Sequence, residues 1–476
     1  MKKILKNKNL IIYICFIAIT IIGFIFHENW EDEAQEYLIV KHLDLIGIFK
    51  NAYLEGHPII YYYILYPFIK LGLGYKTINI ISLILMYIGV YIILFKLKIN
   101  TLLKLFFITN YSVLYQSSII GRSYSLVFLL IILLTYYYKN KEKKQIVYSV
   151  LLGLLLNTHL LVSGLSIILF IFTYKDKIKE KNLNKKDIIG IVIYMLSCIL
   201  LILQFYKILI VHNGMSLYKE NLFLSFLGNF FGYPIVTFNN YFNILISIGY
   251  IFFFYSFYIF YKSDKEIFII ELFSYIVFVL ICSKVWGVIL VVHRACIIFF
   301  FLIFGYSNIK YKFNKRENIF LILVIITDLI ASISFYYLDI NYKYSDSYEL
   351  GNYINKKIKE KETIYTVSDY YSDSYTLAVL PYTENYNYYN LNSNRYYKYI
   401  IWDKERERNI NYNNVHKKFT SNKTSYLLIP KRYLENKKER DFIKKLNKDF
   451  NVKVIYKSDN KSVTRESYIL YKIKSN

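Results

Sequence analysis

The chain has 476 residues, 55% of them hydrophobic and 19% aromatic, yet it carries 59 Lys and Arg against 34 Asp and Glu, a net charge of +25 at pH 7. So apolar a chain with so many charges must segregate into lipid-buried runs and solvated loops, which excludes a soluble globule built on one core. Most lysines stand in short clusters between apolar runs, as cytoplasmic loops of membrane proteins require, so no nucleic-acid partner is expected.

The four cysteines, Cys15, Cys198, Cys282 and Cys296, all fall inside apolar runs and imply neither a disulfide framework nor a cysteine metal site. The abundance of Tyr (53 residues) reads as compositional drift, so single tyrosines carry little weight.

From the N-terminus, a lysine-rich start leads into an apolar run over 10–26 that lacks a small-residue cleavage site, which predicts an uncleaved first helix. Further spans of about twenty residues are predicted near 77–95, 101–118, 122–138, 145–158, 160–174, 188–210, 241–261, 266–284, 288–309 and 318–338, with kinks at Thr158-His159 and Ser283-Lys284. That makes about eleven crossings. The run 58–74 is apolar enough to be a twelfth, but the lysines decide against it. If it does not cross, the clusters Lys2–Lys8, Lys96–Lys104, Lys139–Lys144, Lys175–Lys186, Lys262–Lys265 and Lys310–Arg316 all fall on the cytoplasmic side. The run is therefore expected along the outer interface, its Tyr-rich face at headgroup depth.

The expected fold is an α-helical polytopic membrane protein with a small C-terminal extracytoplasmic α/β domain. Residues 1–338 form the transmembrane domain, with an outer loop over 27–76, and 339–476 form the soluble domain. In that tail, Glu362–Val367, Tyr399–Trp402, Ser425–Pro430, Val452–Tyr456 and Tyr468–Ile473 read as strands, and Ser347–Glu360 and Leu434–Asn447 as helices. The tail carries no catalytic motif, and the chain shows neither a Rossmann nor a P-loop fingerprint.

The chemistry-bearing residues fall on the outer face in this topology. Asp32 and Glu33 follow the first span beside Trp30, where acidic residues also suit a plain helix N-terminus. A carboxylate partly desolvated at the lipid–water boundary is a better general base. Glu55 and His57-Pro58 lie in the same outer loop. Arg122 opens a span as Gly121-Arg122-Ser-Tyr124, where a charged residue also simply snorkels. His159 interrupts an apolar stretch, as ligand or helix cap, and Lys284, His293 and Arg294 interrupt the region 266–309, where a desolvated cation needs a partner.

Carboxylates and cations on one side suit transfer from a lipid-linked phosphate donor. The phosphate leaves without protonation if its charge is held, and a carboxylate deprotonates the attacking group.

Asp32-Glu33-Ala34 after the first span, Gly56-His57-Pro58 with Tyr61, Arg122-x-Tyr124 and Thr158-His159 resemble the motifs of the multispan GT-C glycosyltransferases. The similarity is to the protein mannosyltransferase and aminoarabinose transferase group, which uses polyprenyl-phosphate sugars. The sequence departs from that pattern where Ile59 follows Pro58 and where Ala295 follows His293-Arg294.

The resemblance implies an inverting glycosyltransferase of the cell membrane, a bacterial plasma membrane, acting on the extracytoplasmic face. Its donor is a polyprenyl-phosphate sugar and its acceptor a lipid, glycan or protein of the cell envelope. It implies Asp32 as base with Glu33 beside it, or Glu33 orienting Asp32 or the acceptor. Arg122, His159 and Arg294 would hold the donor phosphate, and Glu55, His57, Tyr61 and Tyr124 would line the entrance. Relatives differ in their need for a divalent metal, so the resemblance allows one, and one Asp-Glu pair with one His is too little to claim its site. Two alternatives stand beside it: a lipid-linked saccharide flippase, against which the lack of an internal repeat speaks, and an envelope scaffold.

Overall fold

The computed structural model describes residues 2–211, 243–286, 292–368, 376–403, 408–458 and 462–475. These residues are mostly helical, with one sheet near the C-terminus. The chain divides into two units. The first comprises 1–24, 49–64 and 79–336; the second comprises 25–48, 65–78 and 337–476.

The first unit is a set of apolar helices. Among the described residues, five helical stretches in the chain combine the length and apolarity to cross a bilayer, beginning at Lys8, Thr77, Lys185, Lys265 and Lys315. The helices Tyr124–Tyr138 and Gln145–Leu156 are equally apolar and shorter. In Lys8–Phe26 and Lys185–Lys207 only 17% of the apolar window is buried within the protein. Side chains such as Ile188, Val192, Leu196, Ile199 and Ile202 are exposed. A continuous apolar stripe of that kind is unfavourable in water and suits lipid contact.

Small residues set the helix spacing. A Cβ added at Gly153 would clash with Ser197 Oγ, and one at Gly190 with the Tyr174 hydroxyl. Glycine at both places lets Gln145–Leu156 and Ser163–Lys179 approach Lys185–Val211 closely, as in packed membrane helices. A buried polar pair joins two helices: Asn110, at the end of Thr101–Thr109, donates to Asp328 of Lys315–Tyr342 at 2.9 Å.

Both expected kinks are present. The helix Gln145–Leu156 stops before Thr158-His159, and a 3-10 turn follows over Leu160–Val162. A π-turn spans Cys282–Trp286 around Ser283-Lys284. The run 58–74 contains the helix Ile60–Lys70 with Pro67 inside it. At about 16 Å this is near half a hydrocarbon core. The region expected as an outer loop also contains the helices Glu31–His42 and Leu45–Glu55.

The second unit carries a six-stranded sheet: β1 (Thr363–Thr366), β2 (Asn387–Asn390), β3 (Arg395–Tyr397), β4 (Ser425–Pro430), β5 (Phe450–Lys457) and β6 (Tyr468–Ser475). Its order is β3-β2-β1-β4-β6-β5. Strands β1, β2 and β4 are parallel, while β3, β6 and β5 pair antiparallel at the two sides.

Alternation along the strands supplies two apolar faces. Tyr365, Val367, Leu427 and Ile429 pack with Val415 and Phe419 of the helix Tyr412–Ser421 and with Ile443 and Leu446 of the helix Lys437–Asp449. On the opposite face the Tyr388 hydroxyl meets Thr383, and Tyr386 donates to the Ile354 carbonyl of the helix Ser347–Lys357. The crossovers on the two sides of β1 thus cover opposite faces, and a topological switch point lies at β1.

Three of the expected strands coincide with β1, β4 and β6, and Val452–Tyr456 lies inside β5. Tyr399–Trp402 is not a strand; the pairing falls just earlier, at β2 and β3. Their Asn- and Tyr-rich sequences carry no apolar alternation to announce them.

Candidate functional site

In the second unit, the helix Glu31–His42 begins with three carboxylates, Glu31, Asp32 and Glu33. Glu33 is fully buried and turns back to accept the Trp30 backbone N–H at 3.1 Å, which anchors the first turn as in a capping box. The same Oε2 lies 3.0 Å from His27 Nε2, and His27 Nδ1 lies 2.9 Å from Asp339. The Tyr344 ring packs 4.7 Å from the His27 ring, and Lys76 donates to the His27 carbonyl.

Burial by itself would push the His27 pKa down, but the carboxylates of Asp339 and Glu33 outweigh it and hold the imidazolium up to about 9. Glu466 accepts the Glu31 backbone N–H at 2.9 Å, and burial pushes its carboxyl above the usual range. Asp32, beside these fixed groups, remains half-exposed. Two adjacent carboxylates therefore have different surroundings: Glu33 is fully buried, and Asp32 is half-exposed.

In the first unit, His57, Arg122, Tyr124, His159, His293 and Arg294 come together. The helix Leu45–Glu55 ends at Gly56, whose φ of +71° favours glycine, and Pro58 prevents its continuation. This stop presents His57, whose Nε2 lies 3.2 Å from an Arg122 Nη2. The His57 and His159 rings pack edge to face at 5.1 Å, and Tyr124 lies 5.3 Å from His159 and 6.0 Å from His293.

One amide network holds the two histidine loops together. Gln204 accepts the Ile59 N–H at 3.0 Å and donates to the Asn157 side chain at 2.8 Å, while the Asn157 carbonyl accepts the Ile60 N–H at 3.2 Å. Replacing Gln204 by leucine is expected to strand a buried N–H and cost about 1–3 kcal/mol. Thermal unfolding of the purified chain checks this, and an unchanged midpoint would show that the network holds nothing.

Both imidazoles are neutral. Burial first, then the Arg122 and Arg294 charges, pushes His159 down to about 3, and burial followed by Arg122 pushes His57 well below its ordinary value. The hydrogen bonds then fix the tautomers. His159 Nδ1 accepts the Leu161 N–H at 3.2 Å, so its proton is on Nε2; His57 Nε2 accepts from Arg122, so its proton is on Nδ1. Those same two atoms, His159 Nε2 and His57 Nδ1, are buried with no hydrogen-bond partner among the described residues. Two N–H donors and two guanidiniums in one cluster suit an anion.

The remaining candidates lie nearby or apart. The Tyr61 hydroxyl is buried 3.2 Å from Ser82 Oγ, which accepts from Ser125 three residues beyond Arg122. Glu55 accepts from Asn51 at 3.1 Å, half-buried at the helix end. Lys284 is exposed. Among the described residues no three His, Cys, Asp or Glu are placed to hold a metal ion. Sequence reasoning missed His27, Asp339, Gln204 and Glu466. For Glu466 the partner lies 435 positions away, which one sequence does not signal.

No family model matches the chain, and no curated protein is similar to it in sequence. Its fold does have solved counterparts. The crystal structure of ArnT from Cupriavidus metallidurans bound to undecaprenyl phosphate aligns with a TM-score of 0.58 at 10% identity, covering 96% of this chain and 97% of that one. The apo state of the same protein gives 0.57 at 10% identity, with the same coverage. The chain has the GT-C fold of the aminoarabinose transferase ArnT along almost its whole length.

Proposed function

We propose that this protein is an integral membrane glycosyltransferase that moves a sugar from a polyprenyl-phosphate donor to a cell-envelope acceptor. The observation that carries this reading is the cluster in the first unit: two buried, unpartnered imidazole N–H groups beside Arg122 and Arg294. The ArnT fold and the undecaprenyl phosphate bound by that protein support it.

In this reading Asp32 takes a proton from the acceptor hydroxyl or amine, whose lone pair attacks the anomeric carbon. The carbon–oxygen bond to phosphate breaks, the electron pair leaves on the phosphate, and the anomeric configuration inverts. Arg122 and Arg294 balance the growing charge, and His57 Nδ1 and His159 Nε2 donate to phosphate oxygens. Glu33 acts as a positioning residue, held by His27 and Trp30. Glu55, Tyr61 and Tyr124 flank the donor and acceptor entrance.

The helices shorter than a full span cross as well, tilted or broken, giving about eleven crossings. The lysine clusters support a plasma-membrane topology with 339–476 and the chemistry on the extracytoplasmic face.

Replacing Arg122 by glutamine should raise the KM for the lipid donor about 10- to 100-fold, the worth of one charge-assisted hydrogen bond. The test is a donor titration in detergent micelles. An unchanged KM would remove Arg122 from the phosphate site.

A further inference from the structure

The second unit holds a cavity of about 390 Å³ that none of the groups above uses. It opens at the carboxyl ends of the parallel strands. Ser368 follows β1, Asn392 follows β2, and Tyr433 follows β4. In an open sheet with parallel strands and a reversal of crossover direction, the carboxyl-end crevice is where ligands sit. The volume lies within the range of small-ligand clefts, about 300–1,000 Å³.

The floor of the crevice is built from polar groups. The Ser368 N–H donates to Asn392 Oδ1 at 2.7 Å, tying the ends of β1 and β2 together, and Asn392 Nδ2 donates to the Arg408 carbonyl at 2.9 Å. Asn390 Oδ1 accepts the N–H groups of Asn392 and Ser393 at 3.0 and 2.9 Å, fixing the turn after β2. Ser368, Asn392 and Tyr433 are all buried.

The walls and rim differ from the floor. Phe442 gives an apolar surface, while exposed Arg408 and Lys438 bring two cations against the single carboxylate of Glu439. Lys438 stands in the first turn of the helix Lys437–Asp449, whose partial positive end adds to the same field. Amides and hydroxyls below, aromatic rings at the side and cations at the rim match a polyhydroxylated ring that carries a negative group.

We infer that this crevice binds an anionic saccharide unit, a sugar phosphate or a uronic acid. The inference stands independently of the transfer reading, because none of its lining residues belongs to the Asp32 or Arg122 groups.

The test is saturation-transfer NMR on the full chain in nanodiscs. The probes are glucose 1-phosphate, glucuronic acid and neutral glucose, applied to the wild type and to variants R408A, K438A and R122Q. Lys438 is exposed, so its replacement should leave the thermal unfolding midpoint unchanged. The expected result is saturation of ring protons for an anionic probe, weakened at least about fivefold in R408A or K438A and unaltered in R122Q. Binding of only glucose 1-phosphate, or only glucuronic acid, names the source of the charge. The inference is overturned by no binding of either anionic probe, by equal binding of neutral glucose, or by affinities that R408A and K438A leave intact. Loss of binding in R122Q would assign the signal to the donor cluster and overturn it too.

Discussion

Replacing Asp32 by asparagine should lower the transfer rate by about 10²- to 10⁴-fold, the usual contribution of a general base, while the chain folds as before. Asparagine keeps the shape of the side chain and removes its capacity to take a proton. The surroundings favour this separation of effects. Asp32 is half-exposed, and the helix start that carries it is anchored by other groups: Glu33 on the Trp30 N–H and Glu466 on the Glu31 N–H. Donor KM should change little, because the phosphate contacts assigned to Arg122 and Arg294 remain. Single-turnover kinetics at saturating donor read the change in the chemical step. A variant with near-normal turnover would remove Asp32 from the mechanism.

The second large effect concerns His27. Its replacement by alanine removes the imidazolium that bridges the buried carboxylates of Glu33 and Asp339 at 3.0 and 2.9 Å. Breaking a buried ion pair by deleting one partner costs about 3–5 kcal/mol. The second unit should therefore unfold earlier, visible as faster proteolysis within 337–476.

The same group gives a pH dependence whose sign can be worked out. His27 titrates at about 9 in the folded protein against 6.5 ordinarily. It thus binds its proton more tightly when folded. Its contribution, about 3 kcal/mol, is fully present below pH 6.5 and is lost as pH rises through 9. Glu28, pushed up to about 7 by burial, loses stability in the same direction between about 4.5 and 7. The thermal midpoint of the second unit should fall from pH 6 to pH 9.5 in the wild type, and less steeply in His27→Ala. A midpoint that rises over that interval contradicts the assignment of His27 as a buried imidazolium.

Legibility in the sequence followed the strength of the local signal. The helix from Thr77 and the strands β4 and β6 are largely apolar runs whose bounds could be read closely, as could the end of the first helix. Strand β2, Asn387-Tyr-Tyr-Asn390, could not, because its burial comes from tyrosines packed by the surrounding sheet rather than from its own pattern. Helix Tyr412–Ser421 went unread for a similar reason: Val415 and Phe419 are its buried residues along ten positions, with Tyr412 packed partly against the same core.

The residues of the cation cluster were legible as interruptions of apolar runs, each with a plain structural explanation of its own. Their juxtaposition was not. It depends on Gln204 joining the loops at Ile59 and Asn157 across 145 and 47 positions. Likewise Asp32 and Glu33 stand side by side in sequence, and only the tertiary partners His27 and Asp339 distinguish the buried carboxylate from the half-exposed one.

The most direct measurement is the release of free polyprenyl phosphate. Wild-type protein and Asp32→Asn in nanodiscs are incubated with undecaprenyl-phosphate sugars and an envelope extract, and the lipid products are quantified by mass spectrometry. Acceptor-dependent release by the wild type, reduced at least a hundredfold in the variant, is the result this account requires. Folded wild-type protein that moves the lipid-linked sugar across the bilayer without releasing polyprenyl phosphate would contradict it and establish a transporter.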